Sequence, residues 1–428
     1  MKIRFAPAGA ALALALVLAA PAVRAQAVEA VKARAEAAVQ PFLDTARDLV
    51  AIESGSRDKE GLDRLADHLA ARLKALGGEV QVVEPADVYR MEDTPEQIGR
   101  AVRATFRGKG TKKILLIAHM DTVYARGMGA RQPFRVEGDR AYGLGIADDK
   151  QGIATILHTV AILKDLGFDE YGTLTVLVNG DEEISSPGHR ALITRLGREH
   201  DATMSYEGVP IREDKLSLAT AGIGAVILRV KGRASHAGSA PERGINALTE
   251  LAHQIVQMRD LSDPATGLKL NWTVAKAGLN RNVIPFEAEA MADVRVVRVA
   301  DFEGIEKTVR ERAKNQLVPD AKVEVMFERR RPPLEAPPAS LAMGRHAKAI
   351  YAEIGKTLVV DDKVAGGGTD AAFAALETKS PVLERFGVQG FGAHSNDAEY
   401  ISIPSIAPRL YLSARMIMDL SRHKVPAQ

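Results

Sequence analysis

Three apolar runs in this chain stop at acids. "KKILLIAHMD" (112–121), "TLTVLVNGDEE" (173–183) and "ATMSYEG" (202–208) each read as a buried strand that closes on carboxylates. Helical segments lie between them. "DKQGIATILHTVAILKDLG" (149–167) ends on a glycine, and "SPGHRALITRL" starts a helix with Pro187 in its first turn. This alternation predicts an α/β fold, a mostly parallel sheet flanked by helices. The acidic strand ends then share one edge of the sheet, the edge where ligands collect. Asp181, Glu182 and Glu183 are consecutive, and three like charges at a strand end repel one another. Positive charge or good solvation has to compensate them.

The rhythm changes near residue 217. "SLATAGIGAVILRVKG" (217–232) reads as antiparallel strand material, followed by a helix over 242–260. Strands at 270–278 and 287–297, a helix over 301–316 and a strand at 322–328 come next. This β-α-β-β-α-β order is the ferredoxin-like split βαβ pattern. "RPPLEAPP" (331–338) reads as a linker. A helix after it, a strand at 381–387 and a helix over 404–422 resume the first pattern. The expected organisation is a larger domain made of 26–214 and 333–428, interrupted by an α+β domain over 215–332.

A length of 428 residues suits two domains. A net charge of +2 gives no field to attract nucleic acid, and 5% aromatic residues offer no base-stacking platform. The first 25 residues carry Lys2 and Arg4, an apolar run and small residues at Val23-x-Ala25, the pattern of a signal peptide cleaved after Ala25. The run from Ala8 to Ala20 is too short to span a bilayer. The chain has no cysteine, so it has neither disulfides nor thiolate metal ligands. Together these features lead us to expect a periplasmic or secreted protein, free of the membrane after cleavage.

His119 and Asp121 form H-x-D at a strand end, where residues i and i+2 share a face. Asp121 is thus placed to orient a ligating His119. Asp148 and Asp149 follow a glycine-rich loop and precede a helix. Glu182 and Glu183 point in different directions, so one can bind metal while the other acts as general base. Glu207 ends the next strand, and His394 lies in "GFGAHSNDAEY" (390–400). Each alone has an ordinary structural explanation: a His–Asp pair, a helix N-cap, a solvated acidic loop. As a set at one sheet edge, nitrogen and oxygen donors without sulfur suit Zn2+, and Co2+ or Mn2+ also fit. Two cations between the acids would supply the missing positive charge.

The motifs "AHMDTVY", "GLGIADDKQG", "NGDEE", "YEG", "GRASHAG" and "GAHSNDAEY" resemble the dinuclear zinc exopeptidase family of glutamate carboxypeptidases, aminoacylases, dipeptidases and desuccinylases. The resemblance covers nearly the whole chain after residue 25. It implies that Asp148 bridges two Zn2+ per subunit. His119 and Glu207 would complete one site, Glu183 and His394 the other. Glu182 would be the general base, Asp121 would support His119, and the Asp148–Asp149 peptide would be cis. The inserted domain would be a lid that also makes a homodimer, sending His236 into the partner subunit's site to stabilise an oxyanion.

"NWTVAKAG", "NVIP" and "GGGTDAA" look most similar to the glutamate carboxypeptidase (carboxypeptidase G) group, which removes C-terminal glutamate from folates and N-acyl-glutamates. That likeness implies a substrate with a free C-terminal carboxylate. Lys215 would meet the glutamate side chain, while Asn282, Arg295 and Arg331 would hold the α-carboxylate or the oxyanion. Gly367 would line the pocket through its backbone. Arg329 and Arg330 stand beside Arg331, and the sequence does not separate the three. Two alternatives stand beside this reading: an aminoacylase or dipeptidase of the same family, and a non-catalytic periplasmic binding protein.

Overall fold

The strand expected over 112–121 forms at Lys113–His119 and is buried along all but its first residue. It lies inside a six-stranded sheet ordered Glu79–Val83, Ala101–Arg107, Thr173–Asn179, Lys113–His119, Ala202–Ser205, Val382–Leu383. Three of the five pairings are parallel, and the two at the Glu79 edge are antiparallel. Apolar residues on both faces fit the central strands to a sheet covered by helices on either side. The sequence pattern does not single out the two antiparallel strands, because "EVQVV" is short and partly exposed and "AVRATFR" is interrupted by two arginines and a threonine. This computed structural model describes residues 28–395 and 399–425. The signal peptide expected over 1–25 lies outside the described residues.

Register carries the functional edge. His119 pairs with Asn179, so the chain leaving one strand at Met120–Asp121 runs beside the chain leaving the other at Gly180–Glu183. Helix Gln151–Asp165 covers one face and is buried along most of its length. A smaller five-stranded sheet orders Arg135–Glu137, Arg140–Tyr142, Tyr400–Ser402, Gln389–Phe391 and Val209–Pro210. Its strands lead into the segments carrying Asp148, Glu207 and His394, residues far apart in sequence.

The helix expected to begin around Pro187 starts later, at Arg190–Glu199. Ser185 and Ser186 have φ of 69° and 50°, a left-handed conformation that interrupts a helix. Asp181 folds this loop around itself. Its side chain accepts from the Gly188 amide at 2.7 Å and its backbone carbonyl from the Ser186 amide at 2.7 Å.

A separate four-stranded antiparallel sheet orders Lys269–Ala277, Glu287–Val296, Gly222–Lys231 and Lys322–Arg331. Helices Ala247–Gln257 and Asp301–Arg312 complete the β-α-β-β-α-β order. Val226, Leu228, Leu251, Val294, Phe302 and Val309 form a core apart from that of the larger sheet. The last strand runs through Arg331, three residues beyond the expected end at 328.

Candidate active site

Asp148 offers one carboxylate oxygen to each of two histidines. Oδ1 lies 3.0 Å from His119 Nε2, and Oδ2 lies 3.2 Å from His394 Nε2. Glu207 Oε1 approaches His119 Nε2 at 3.4 Å, and Glu183 Oε2 approaches His394 Nε2 at 3.1 Å. Two donor groups result, His119–Asp148–Glu207 and Asp148–Glu183–His394, each with its ligand atoms within 4.8 Å of one another. The peptide between Asp148 and Asp149 is cis.

Asp121 is fully buried below this cluster. Its carboxylate lies 3.3 Å from His119 Nδ1 and accepts from the Glu182 amide at 2.9 Å, the Glu183 amide at 3.0 Å and Ser56 Oγ at 2.8 Å. One carboxylate therefore orients both the imidazole and the acid loop. Glu399 does the same for the Asp148 loop, accepting from the Gly145 and Ala147 amides at 2.8 Å each and from Tyr124 Oη at 2.6 Å.

Each consecutive acid has its own cationic or imidazole partner. Asp181 meets His189 Nδ1 at 2.8 Å, Glu183 meets His394, and Glu182 accepts from Arg331. Arg331 is buried, donates also to the Glu182 carbonyl and lies 3.4 Å from Asp370. Asp370 accepts in turn from Asn179 Nδ2 at 2.8 Å and from Ser186 Oγ.

A bulge separates the three arginines. Ile223 pairs with Arg331 but its neighbour Gly224 pairs with Arg329, so Arg330 is the extra residue and the strand's alternation is broken. Arg329 goes out to Glu306, Arg330 to Asp93 and Glu328, and Arg331 inward.

The donor set fits divalent cations. Packed this closely, its carboxylates raise the proton affinity of both imidazoles. Hydrogen bonds that its imidazolium donates to Asp148 and Glu183 lift His394 to about 11. Burial lifts Glu183 to about 7 against the opposing pull of His394. Burial pushes the His119 imidazole down, yet Glu207, Asp121 and Asp148 outweigh it and carry it well above its usual value. Metal binding displaces such protons. Among the described residues Glu183 Oε1 is buried without a hydrogen-bond partner, an acceptor of the kind a cation satisfies.

A cavity of about 620 Å3 opens on the cluster, lined by Asp148, Glu182, Glu183, Glu207, His394, Arg331 and Gly367, with Arg212 and Arg385 on its wall. The structure thus gathers most of the expected site residues in one place. His119 and Asp121 lie buried beneath this lining, and four expected residues stand apart from the cluster. Lys215 is paired with Asp361 at 2.8 Å. Arg295 is held by Asp293 at 2.9 Å and donates to the Gly366 carbonyl at 3.1 Å. His236 and Asn282 are exposed neighbours on the second sheet's loops, joined where the Ala237 amide donates to the Asn282 carbonyl at 2.9 Å. Sequence reasoning missed Asp370, Glu399 and Arg385. Only "GGGTDAA" and "NDAEY" carried a signal for the first two, as acids beside glycine-rich segments.

The family model described as peptidase family M20/M25/M40 matches residues 115–419. Carboxypeptidase G2 of Pseudomonas sp. (strain RS-16) is 45% identical over 382 residues, covering 89% of this chain and 90% of that protein. Among solved structures, the M20 family metallo-carboxypeptidase Sso-CP2 of Sulfolobus solfataricus superposes with a TM-score of 0.70 at 16% identity, covering 88% of this chain and 98% of that one. The YXEP protein of Bacillus subtilis, described as a dinuclear metal binding peptidase from the M20 family, gives 0.60 at 18% identity, covering 89% and 98%.

Proposed function

The chain belongs to peptidase family M20/M25/M40 and is a metallopeptidase, and from this premise we propose that it hydrolyses the amide bond to a C-terminal glutamate in folates and N-acyl-glutamates. The observation that carries the reading is the split use of Asp148, one oxygen to each donor group, beside the adjacent Glu182 and the inward Arg331. His119, Asp148 and Glu207 would hold one Zn2+; Asp148, Glu183 and His394 would hold a second, with Co2+ or Mn2+ suited to the same donors. Such cations, when bound, lower the pKa of water and polarise a carbonyl.

Glu182 takes a proton from the attacking water as its oxygen bonds to the scissile carbonyl carbon. The carbon–nitrogen bond then breaks, and Glu182 returns that proton to the departing amine of glutamate. Arg331 is a planar donor suited to a carboxylate, and it already serves one in Glu182. Arg212 and Arg385 give the same cavity further positive charge, whereas Lys215 must leave Asp361 to reach a substrate. Two facts support a homodimer. The strand Lys269–Ala277 lies at a sheet edge and is largely exposed. His236 Nδ1 accepts the Gly238 and Ser239 amides at 3.1 Å each, which leaves Nε2 as the donor that a partner's oxyanion requires. Export rests on residues 1–25 alone.

Membership in a peptidase family sets the binding-protein alternative aside. Metal-loaded protein assayed on N-acyl amino acids that differ only in the C-terminal residue tests the substrate. Preference for glutamate supports the reading. Equal or better turnover of neutral residues would make the chain an aminoacylase or dipeptidase.

A further inference from the structure

Arg190 opens the helix Arg190–Glu199 at its first residue, and its guanidinium turns back across the junction between the two sheets. It lies over the Tyr89 ring at 4.2 Å and the Phe373 ring at 4.9 Å. Among the described residues its hydrogen bonds to oxygen go to backbone carbonyls: Ser185 at 2.6 Å, Ser186 at 3.4 Å, Arg330 at 2.8 Å and Arg329 at 3.3 Å. The remaining polar contact is Met91 Sδ at 3.8 Å. Burial pushes the guanidinium down to about 10 against the pull of Asp181 and Asp370, and its direct contacts are carbonyl dipoles and ring faces.

The two pairs of carbonyls belong to two different parts of the site. Ser185 and Ser186 close the loop that presents Glu182 and Glu183. Arg329 and Arg330 form the bulge that turns Arg331 inward. A bulge disrupts the ladder locally, and the carbonyls of half-buried Arg330 and exposed Arg329 take donors from a side chain. One side chain here supplies them on both sides of the Arg331–Glu182 contact. Only a guanidinium offers a planar fork of five donors; a lysine ammonium is a point with three.

We infer that Arg190 is a positioning residue that sets the distance between Arg331 and Glu182 by clamping the bulge to the acid loop. The inference rests on the reading that Arg331 and Glu182 serve hydrolysis.

A double-mutant cycle on the metal-loaded protein tests it, with kcat and KM measured on an N-acyl-glutamate and bound metal quantified for every variant. Arg190→Gln should lower kcat/KM on the order of tenfold to a hundredfold, the range expected from a small misplacement near the chemistry, with metal content unchanged. In an Arg331→Ala background the same substitution should cost almost nothing, because the residue it positions is gone. Arg190→Lys carries the same cycle if the Gln variant does not fold, since it keeps the charge and loses the fork. Equal losses in both backgrounds would make Arg190 an ordinary structural residue and overturn the inference while leaving the reading of Arg331 intact. An Arg331→Ala variant with unchanged kcat/KM would instead sink the reading of Arg331, and the positioning role with it.

Discussion

Arg331 grips Glu182 at two points, donating Nη1 to its carboxylate and Nη2 to its backbone carbonyl. The two residues are 149 positions apart; Arg331 ends a strand of the four-stranded sheet, and Glu182 lies in the short turn after the strand Thr173–Asn179 of the six-stranded one. Burial pushes the Glu182 carboxyl well above its usual value, while the adjacent guanidinium opposes that rise. A buried carboxylate held this way keeps its orientation and gains proton affinity, both of which a general base needs.

Glu182→Gln preserves the shape and an acceptor for Arg331 but removes the group that takes a proton. We expect turnover to fall about 10²–10⁴-fold while bound metal is unchanged, because Glu182 belongs to neither donor group. Metal analysis and kinetics on one sample check this. Activity within a factor of two of the parent would show that another residue is the base.

Asp121→Asn addresses metal affinity. The carboxylate serves His119 and the Glu182 and Glu183 amides together. Removing its charge should weaken metal binding about 10–100-fold, read by competition with a chromophoric chelator. Unchanged affinity would mean that Asp121 only shapes the loop.

His158 gives a pH signature remote from the metal donors. Its Nε2 meets Thr45 Oγ1 at 2.9 Å, and its ring lies 5.8 Å from that of Phe42. Burial, reinforced by the charge of Arg72, pushes this imidazole down to about 4. The unfolded chain takes up a proton near pH 6.5 that the folded state refuses until about 4. The stability concerned is therefore complete above 6.5 and is lost as pH falls towards 4. Between pH 7 and pH 5 the parent should lose about 2 kcal/mol more than His158→Gln, measured by denaturant unfolding. Parallel pH profiles would contradict the assignment.

Gly197 lies where the helix Arg190–Glu199 meets Ala371–Ala375, the helix that follows Asp370. A Cβ at this position would stand 2.0 Å from the Ala374 carbonyl oxygen. Gly197→Ala must push the two helices apart, at a cost of about 1–3 kcal/mol, visible as a lower unfolding midpoint. A variant as stable as the parent would mean that the junction yields freely.

The legible parts of this molecule were those written in local pattern. Continuous apolar strands ending in acids gave the sheet and its functional edge, and His119, Asp148, Glu183, Glu207 and His394 do meet there. The hidden parts depend on tertiary packing. Nothing local in "RRR" tells which arginine turns inward, because a bulge paired against Ile223 and Gly224 decides it. Asp370 and Glu399 look like ordinary loop acids until the fold brings Arg331 to one and the Gly145 and Ala147 amides to the other. Lys215 looks free in sequence, yet Asp361 holds it from a strand 146 residues away.

The most direct measurement is glutamate released from folate by zinc-loaded protein, followed before and after chelation. The account predicts steady release that stops with chelator and returns when zinc is restored. Release that chelator leaves untouched, with metal analysis showing the cations gone, would contradict it.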